Sequence, residues 1–213
     1  MTRDEIIRYT KTIIDEVSPI DGLMDDIKIE DFGSDKPIDD FIATLIDESA
    51  DETQLLAPTY YLRGKSLDEN LIVVLEGDIA KATKPNGFLK CILFRLPSWK
   101  RAVTTTVREG SVRGDMQWNP YLRGGVAKPI VLENNDSLFF IPFKRYDATA
   151  TSALKRLEYA YSMPAEEVVD CLQTPICWLT ASKVLSIVGN LNGSKVCKEK
   201  FTELLQEVQR REV

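Results

Sequence analysis

Apolar positions three and four residues apart open the chain. Thr2-Arg3-Asp4-Glu5 has the spacing of a capping box, in which the Thr2 hydroxyl takes the Glu5 amide and the Glu5 carboxylate reaches back. Ile6, Tyr9, Ile13 and Val17 then fall on one helical stripe that Pro19 ends. Asp25 to Asp35 reads as an acidic turn region. A second helix is predicted from near Asp35, with Pro37 in its first turn, where the missing N–H is costless. Its stripe is Ile38, Phe41, Ile42, Leu45 and Ser49, and Pro58 bounds it. The two together predict a helical hairpin.

The period then shortens. Leu71 to Leu75, Phe88 to Phe94 after the Asn86-Gly87 turn, and Val103 to Val107 with three threonines all read as strands. Pro129–Leu132 and Leu138–Phe143 flank Asn134-Asn135-Asp136 as a hairpin, and 155–163 alternates around Leu157, Tyr159, Tyr161 and Met163. Helical signals return at Pro164-Ala165-Glu166-Glu167 and at Thr174-Pro175, the latter opening a run that Gly189 stops. Asn192-Gly193-Ser194 leads into a last helix striped by Phe201, Leu204, Leu205 and Val208. The expected class is α+β: an N-terminal helical region over 1–66, an antiparallel β region over 67–163 and C-terminal helices over 164–213, forming one compact unit.

Charge adds a division that the periods do not show. Residues 1–86 hold 9 basic and 20 acidic residues, 87–156 hold 12 and 5, and 157–213 hold 6 and 8. An acidic face and a basic face follow, suited to packing within one copy or between neighbouring copies. With a net charge of −6 overall, nucleic-acid binding by Lys100, Arg101, Arg108, Arg113 and Arg123 is the weaker reading.

The 213 residues include no histidine, which excludes Ser-His-Asp and Cys-His hydrolysis and His-ligated zinc. Cys91, Cys171, Cys177 and Cys197 show no C-x-x-C spacing and sit in apolar segments, as buried free thiols do. Phosphate-cradling glycine motifs and an EF-hand loop are missing. Asp39-Asp40 and Asp47-Glu48 offer carboxylates for glycosidase-type chemistry, but a helix's solvated face accounts for them. Neither a catalytic residue, a metal ligand nor a cofactor site is therefore expected. The start MTRDEIIRYT has no basic lead into an apolar run, and no membrane span is expected. Arg123-Gly124-Gly125 is one copy of an RGG fragment or a glycine turn. Trp99-Lys100-Arg101 after Pro97 is either a core-edge tryptophan or an interface anchor.

The order of segments "TRDEIIRYTKTIIDEVSP", "LLAPTYYL", "FLKCILFRLPSWKRAVT", "MQWNPYLRGGVAKPIVL", "LFFIPF" and "CWLTASKVLSIVGN" resembles the neck, or head-to-tail connector, ring proteins of tailed bacteriophages. The portal-associated ring proteins of crAss-like phages are nearest, and the "SWKRAVT…NPYLRGG…KP" block carries most of the likeness. The resemblance implies a virion protein made in the host cytoplasm, which forms a homo-oligomeric ring, dodecameric in the family. It would bind itself, the portal and other neck or tail proteins, and transiently double-stranded DNA in the channel. It implies no enzymatic activity, cofactor or membrane. Trp99, Lys100, Arg101, Tyr121 and Arg123 are the interface residues expected on that basis. The alternative is a non-ring phage or host accessory protein that binds without catalysis.

Overall fold

The computed structural model describes residues 1–17, 38–75 and 77–210. The expected Asp25–Asp35 turn and the start of the second helix near Asp35 lie outside them. Thr2 and Glu5 make the reciprocal cap: the Thr2 amide donates to Glu5 Oε2 at 2.7 Å and the Glu5 amide to Thr2 Oγ1 at 3.3 Å. Helix α1 follows over Arg3–Val17 and α2 over Ile38–Leu56. Two further long helices, α5 (Asp170–Ile187) and α6 (Leu191–Arg210), close the chain. Short helical turns at Val112–Asp115 (α3) and Arg145–Thr149 (α4) lie between. The class is α+β, with helices from both ends of the chain flanking strands.

The chain divides into two units, 1–62 with 162–213, and 63–161. In the helical unit α5 is the central element. Eleven of its 18 residues are buried, and α1, α2 and α6 pack around it. A helix enclosed on several sides is apolar all round, so it shows little one-sided pattern. On α1 the buried set is Ile6, Thr10, Ile13 and Ile14, and Tyr9 is largely exposed, so the stripe sits one step round from Tyr9. Thr10 is tolerated there because its hydroxyl donates to the Ile6 carbonyl at 2.8 Å. Arg3 ties α1 to α2 with a two-pronged pair to Asp47, both contacts at 3.0 Å.

The β unit stacks two sheets. One has the order β1 (Gly64–Ser66), β8 (Arg156–Tyr161), β4 (Phe88–Arg95), all antiparallel. The other runs β2 (Ile72–Leu75), β3 (Ile79–Thr83), β7 (Ser137–Ile141), β6 (Ile130–Glu133), β5 (Val107–Arg108), antiparallel except for the parallel β5–β6 pair. Phe88, Cys91, Phe94, Leu157 and Tyr159 from the first sheet share one core with Ala80, Ala82, Val131, Leu138 and Phe140 from the second. Trp99 belongs to that core. On its other face the five-stranded sheet carries a smaller cluster of Ile79, Ile130, Leu132, Phe139 and Ile141.

Three expectations are revised. Val103–Val107 is not one strand: Val103 exchanges both backbone bonds with Phe94 at 2.8 Å, while Val107 pairs with Leu132 in the other sheet. The threonines make the crossing between layers, a role that their β propensity hides. Residues 165–167 form only a single 3₁₀ turn. Helix α5 starts at Asp170, so Pro175 is its sixth residue and not its opener.

At the edge, β2 pairs only with β3 among the described residues. Its Val73 and Val74 point to opposite faces and are both more than half exposed.

Candidate functional site

Residues 111–128 form the most unusual surface of the β unit. Ser111 caps α3 by accepting from the Gly114 amide at 3.1 Å. Gln117 is buried and spans the loop, donating to the Arg113 carbonyl at 3.2 Å and accepting from the Gly124 amide at 3.2 Å. Asn119 accepts the Tyr121 amide on its side chain at 2.9 Å and the Arg123 amide on its carbonyl at 3.0 Å. The Gly124 backbone lies so close to the Lys128 carbonyl that any Cβ would collide with it. Trp118 packs edge-on against Phe139, with ring centroids 5.1 Å apart. Arg123 donates to the Gly77 carbonyl in the β2–β3 turn.

These bonds fix a loop whose outer side chains no described residue covers. Tyr121 is 95% exposed and Val112 82%, with Leu122, Met116 and Trp118 also open. Large apolar side chains on a rigid scaffold are what a protein-binding surface presents, since little ordering entropy is lost on docking. Cations lie on the same loop and its approach: Lys100, Arg101, Arg108, Arg113 and Lys128 are exposed. The Lys100 amide donates to the Val126 carbonyl at 2.9 Å, which joins the 97–101 turn to the loop.

The five residues expected at an interface thus divide. Tyr121 is on the exposed face, and Lys100 and Arg101 are exposed on the tied turn. Arg123 is half-buried and acts as the loop's tether, its Nε enclosed without a hydrogen-bond partner. Trp99 is 2% exposed, donates through Nε1 to the Pro142 carbonyl at 2.7 Å and packs on Phe140. It takes the core-edge reading, with no face left for a partner. Val112, Met116 and Leu122 are the residues that sequence reasoning missed. They stand apart from one another among polar and turn-forming residues in Ser111–Leu122, so no sequence period marks them.

The other chemical candidates are engaged elsewhere. Asp39 pairs with Lys11, Asp47 with Arg3, and Glu48 and Glu52 share the Lys183 ammonium at 2.9 Å each. Burial alone would lower the Lys183 ammonium, but the two carboxylates outweigh it and hold it above its ordinary value. An open polar groove of about 650 Å³ runs past Lys84, Thr106, Arg108, Glu109, Glu133 and Asn134. Glu133 accepts from Lys84 and Thr106 at 2.6 Å each, and Glu109 from Asn134 at 2.8 Å, so its groups mostly bind one another. Among the described residues no group of three or more Cys, Asp or Glu is gathered as a metal site, and no helix is long and apolar enough to cross a membrane.

Burial pushes three thiols up, Cys91 to about 12 and Cys177 and Cys197 each to about 11. Such thiols are protonated and unreactive near neutrality. Comparison with protein-family models and with curated proteins gives no match.

Proposed function

We propose that this chain is a structural subunit of a homo-oligomeric ring in the neck of a tailed bacteriophage, joining portal to tail and extending the DNA channel. The observation that carries the reading is the rigid loop that presents Val112, Met116, Tyr121 and Leu122 to solvent beside a group of cations. A ring subunit must offer a permanent docking face, and aromatic and aliphatic anchors edged by positive charge suit one. The resemblance of the "SWKRAVT…NPYLRGG…KP" block supports the same role, since this loop contains its second half.

Charge supports it further. Cut at the boundaries of the two units, the chain has 11 basic and 23 acidic residues in the helical unit against 16 and 10 in the β unit. A strongly acidic unit lining a channel repels phosphates, so DNA passes without adhering. The work is contact geometry, with portal, neck and tail proteins as partners.

Cryo-electron microscopy of virions tests the reading. Density for this chain repeated around the axis at the portal vertex is the expected result, and virions lacking the polypeptide there overturn it. A non-ring accessory protein would use the same exposed loop for one partner, and native mass spectrometry separates it by giving small assemblies only.

A further inference from the structure

The loop offers an apolar surface, and its charge restricts what can cover it. Between residues 100 and 128 there are six cations, Lys100, Arg101, Arg108, Arg113, Arg123 and Lys128, against two acids, Glu109 and Asp115. Two copies meeting loop to loop would bring these excess positive charges together, which disfavours a two-fold contact. An occupant that is apolar and acidic meets both requirements.

The helical unit has such a face. On α2, Glu48, Glu52 and Leu56 are spaced by four residues and so form one stripe along the helix. Their side chains are open: Glu48 is 68% and Glu52 45% exposed, and Leu56 is about half exposed, with Leu55 beside it. Both carboxylates lean on the single ammonium of Lys183, so the stripe keeps a net negative charge.

We infer that the loop around Tyr121 and Leu122 of one copy docks on the Glu48–Glu52–Leu56 stripe of a second copy. Leu122 and Tyr121 cover Leu55 and Leu56, and the loop's cations face the stripe's carboxylates. The two faces differ, so each copy has one of each. The contact is therefore head-to-tail and can propagate around an axis, where a two-fold contact would stop at a dimer. The inference rests on the ring reading for its biological setting, and on burial and charge for its geometry.

Two variants and their mixture test it. Leu122→Glu places an acid against the acidic stripe while leaving the stripe intact, and Leu56→Glu removes the apolar end of the stripe while leaving the loop intact. Both positions are exposed, and thermal melts confirm that each variant folds. Light scattering after size-exclusion chromatography should show association of the unaltered chain, weakened at least about 10-fold in either variant. An equimolar mixture should give heterodimers and nothing larger, because each pair contains one intact contact. Raising the salt should weaken the unaltered assembly.

If Leu122→Glu assembles like the unaltered chain, the contact is overturned while the ring reading stands. If Leu122→Glu disrupts and Leu56→Glu does not, the assigned occupant is wrong. An unaltered chain that stays monomeric at about 1 mM also overturns the contact, and leaves the ring reading to the virion map.

Discussion

Trp99 and Asp147 hold the β unit together from within. Asp147 is fully buried and accepts three bonds, from the Ser98 amide at 2.9 Å, the Ser98 hydroxyl at 2.6 Å and the Lys144 amide at 2.8 Å. That pins the 96–99 turn against α4 and sets Trp99 into the core. Trp99→Ala removes the indole and leaves the Pro142 carbonyl without its donor, so it should cost about 3–5 kcal/mol. Urea denaturation checks this, and a chain that loses assembly at unchanged stability would contradict the core assignment. The buried thiols make a second prediction. A group raised in the folded state binds its proton there while the unfolded chain releases it, so stability is full below about pH 8.5, the ordinary thiol value, and is lost as pH rises through the folded values. Those are about 12 for Cys91 and about 11 for Cys177 and Cys197. The urea midpoint should therefore fall steadily from pH 8.5 to 10.5, and Cys91→Ala should flatten that slope.

Helix ends are the features at element scale that the sequence states most clearly. Gly189 follows α5 with φ +83°, its amide donates to the Ser186 carbonyl at 3.3 Å and the Asn190 amide to Leu185 at 2.9 Å, the paired bonds of a Schellman close. Gly189→Ala should cost about 1 kcal/mol, read as a lower thermal midpoint, because any side chain strains that backbone. Such ends were legible since capping chemistry is local: Thr2 and Glu5, and Gly189, all act where their residue types place them. Strands β4, β6, β7 and β8 were legible for the same reason, from short apolar runs between turns. The Thr104–Thr106 crossing was not, because whether a β-prone segment joins one sheet or passes between two depends on partners far along the chain. The start of α5 was hidden by Pro175, whose preference for first turns outweighed the five helical residues before it, which follow Val169, a cap position with no side-chain bond. At the site, Tyr121 entered through the resemblance of the NPYLRGG block, and its exposure is visible only in the fold. The burial of Trp99 was not legible, since an aromatic beside two cations reads alike as core edge or anchor until Pro142 is seen to accept its N–H.

At the scale of the whole molecule charge is segregated by unit, as it is along the chain. Asp68, Glu69 and Asp78 extend the acidic stretch in sequence yet belong to the β unit, where Glu69 pairs with Lys155 and Asp78 with Lys144. With the C-terminal helices counted in their place, the helical unit keeps 11 basic against 23 acidic residues, a net of −12 beside −11 for residues 1–86. Duplex DNA should consequently keep its free mobility in gel-shift measurements with this protein at about 0.15 M salt, where screening reaches only about 8 Å. A tight, salt-sensitive shift would contradict the repelling role of the acidic unit. The outer strand β2 has a different consequence for the molecule in solution. Among the described residues Ile72-Val73-Val74-Leu75 has a strand on one side only, and Val73 and Val74, on opposite faces of this largely β-branched edge, are both exposed. Such a ribbon templates cross-β growth, so concentrated stocks of this protein should slowly gain thioflavin fluorescence. Val74→Lys, a gatekeeper charge at a position already facing water, should suppress that gain and leave the melting temperature unchanged. Cells that make the chain in excess of its partners would then face a race between capture and fibre, decided by four residues.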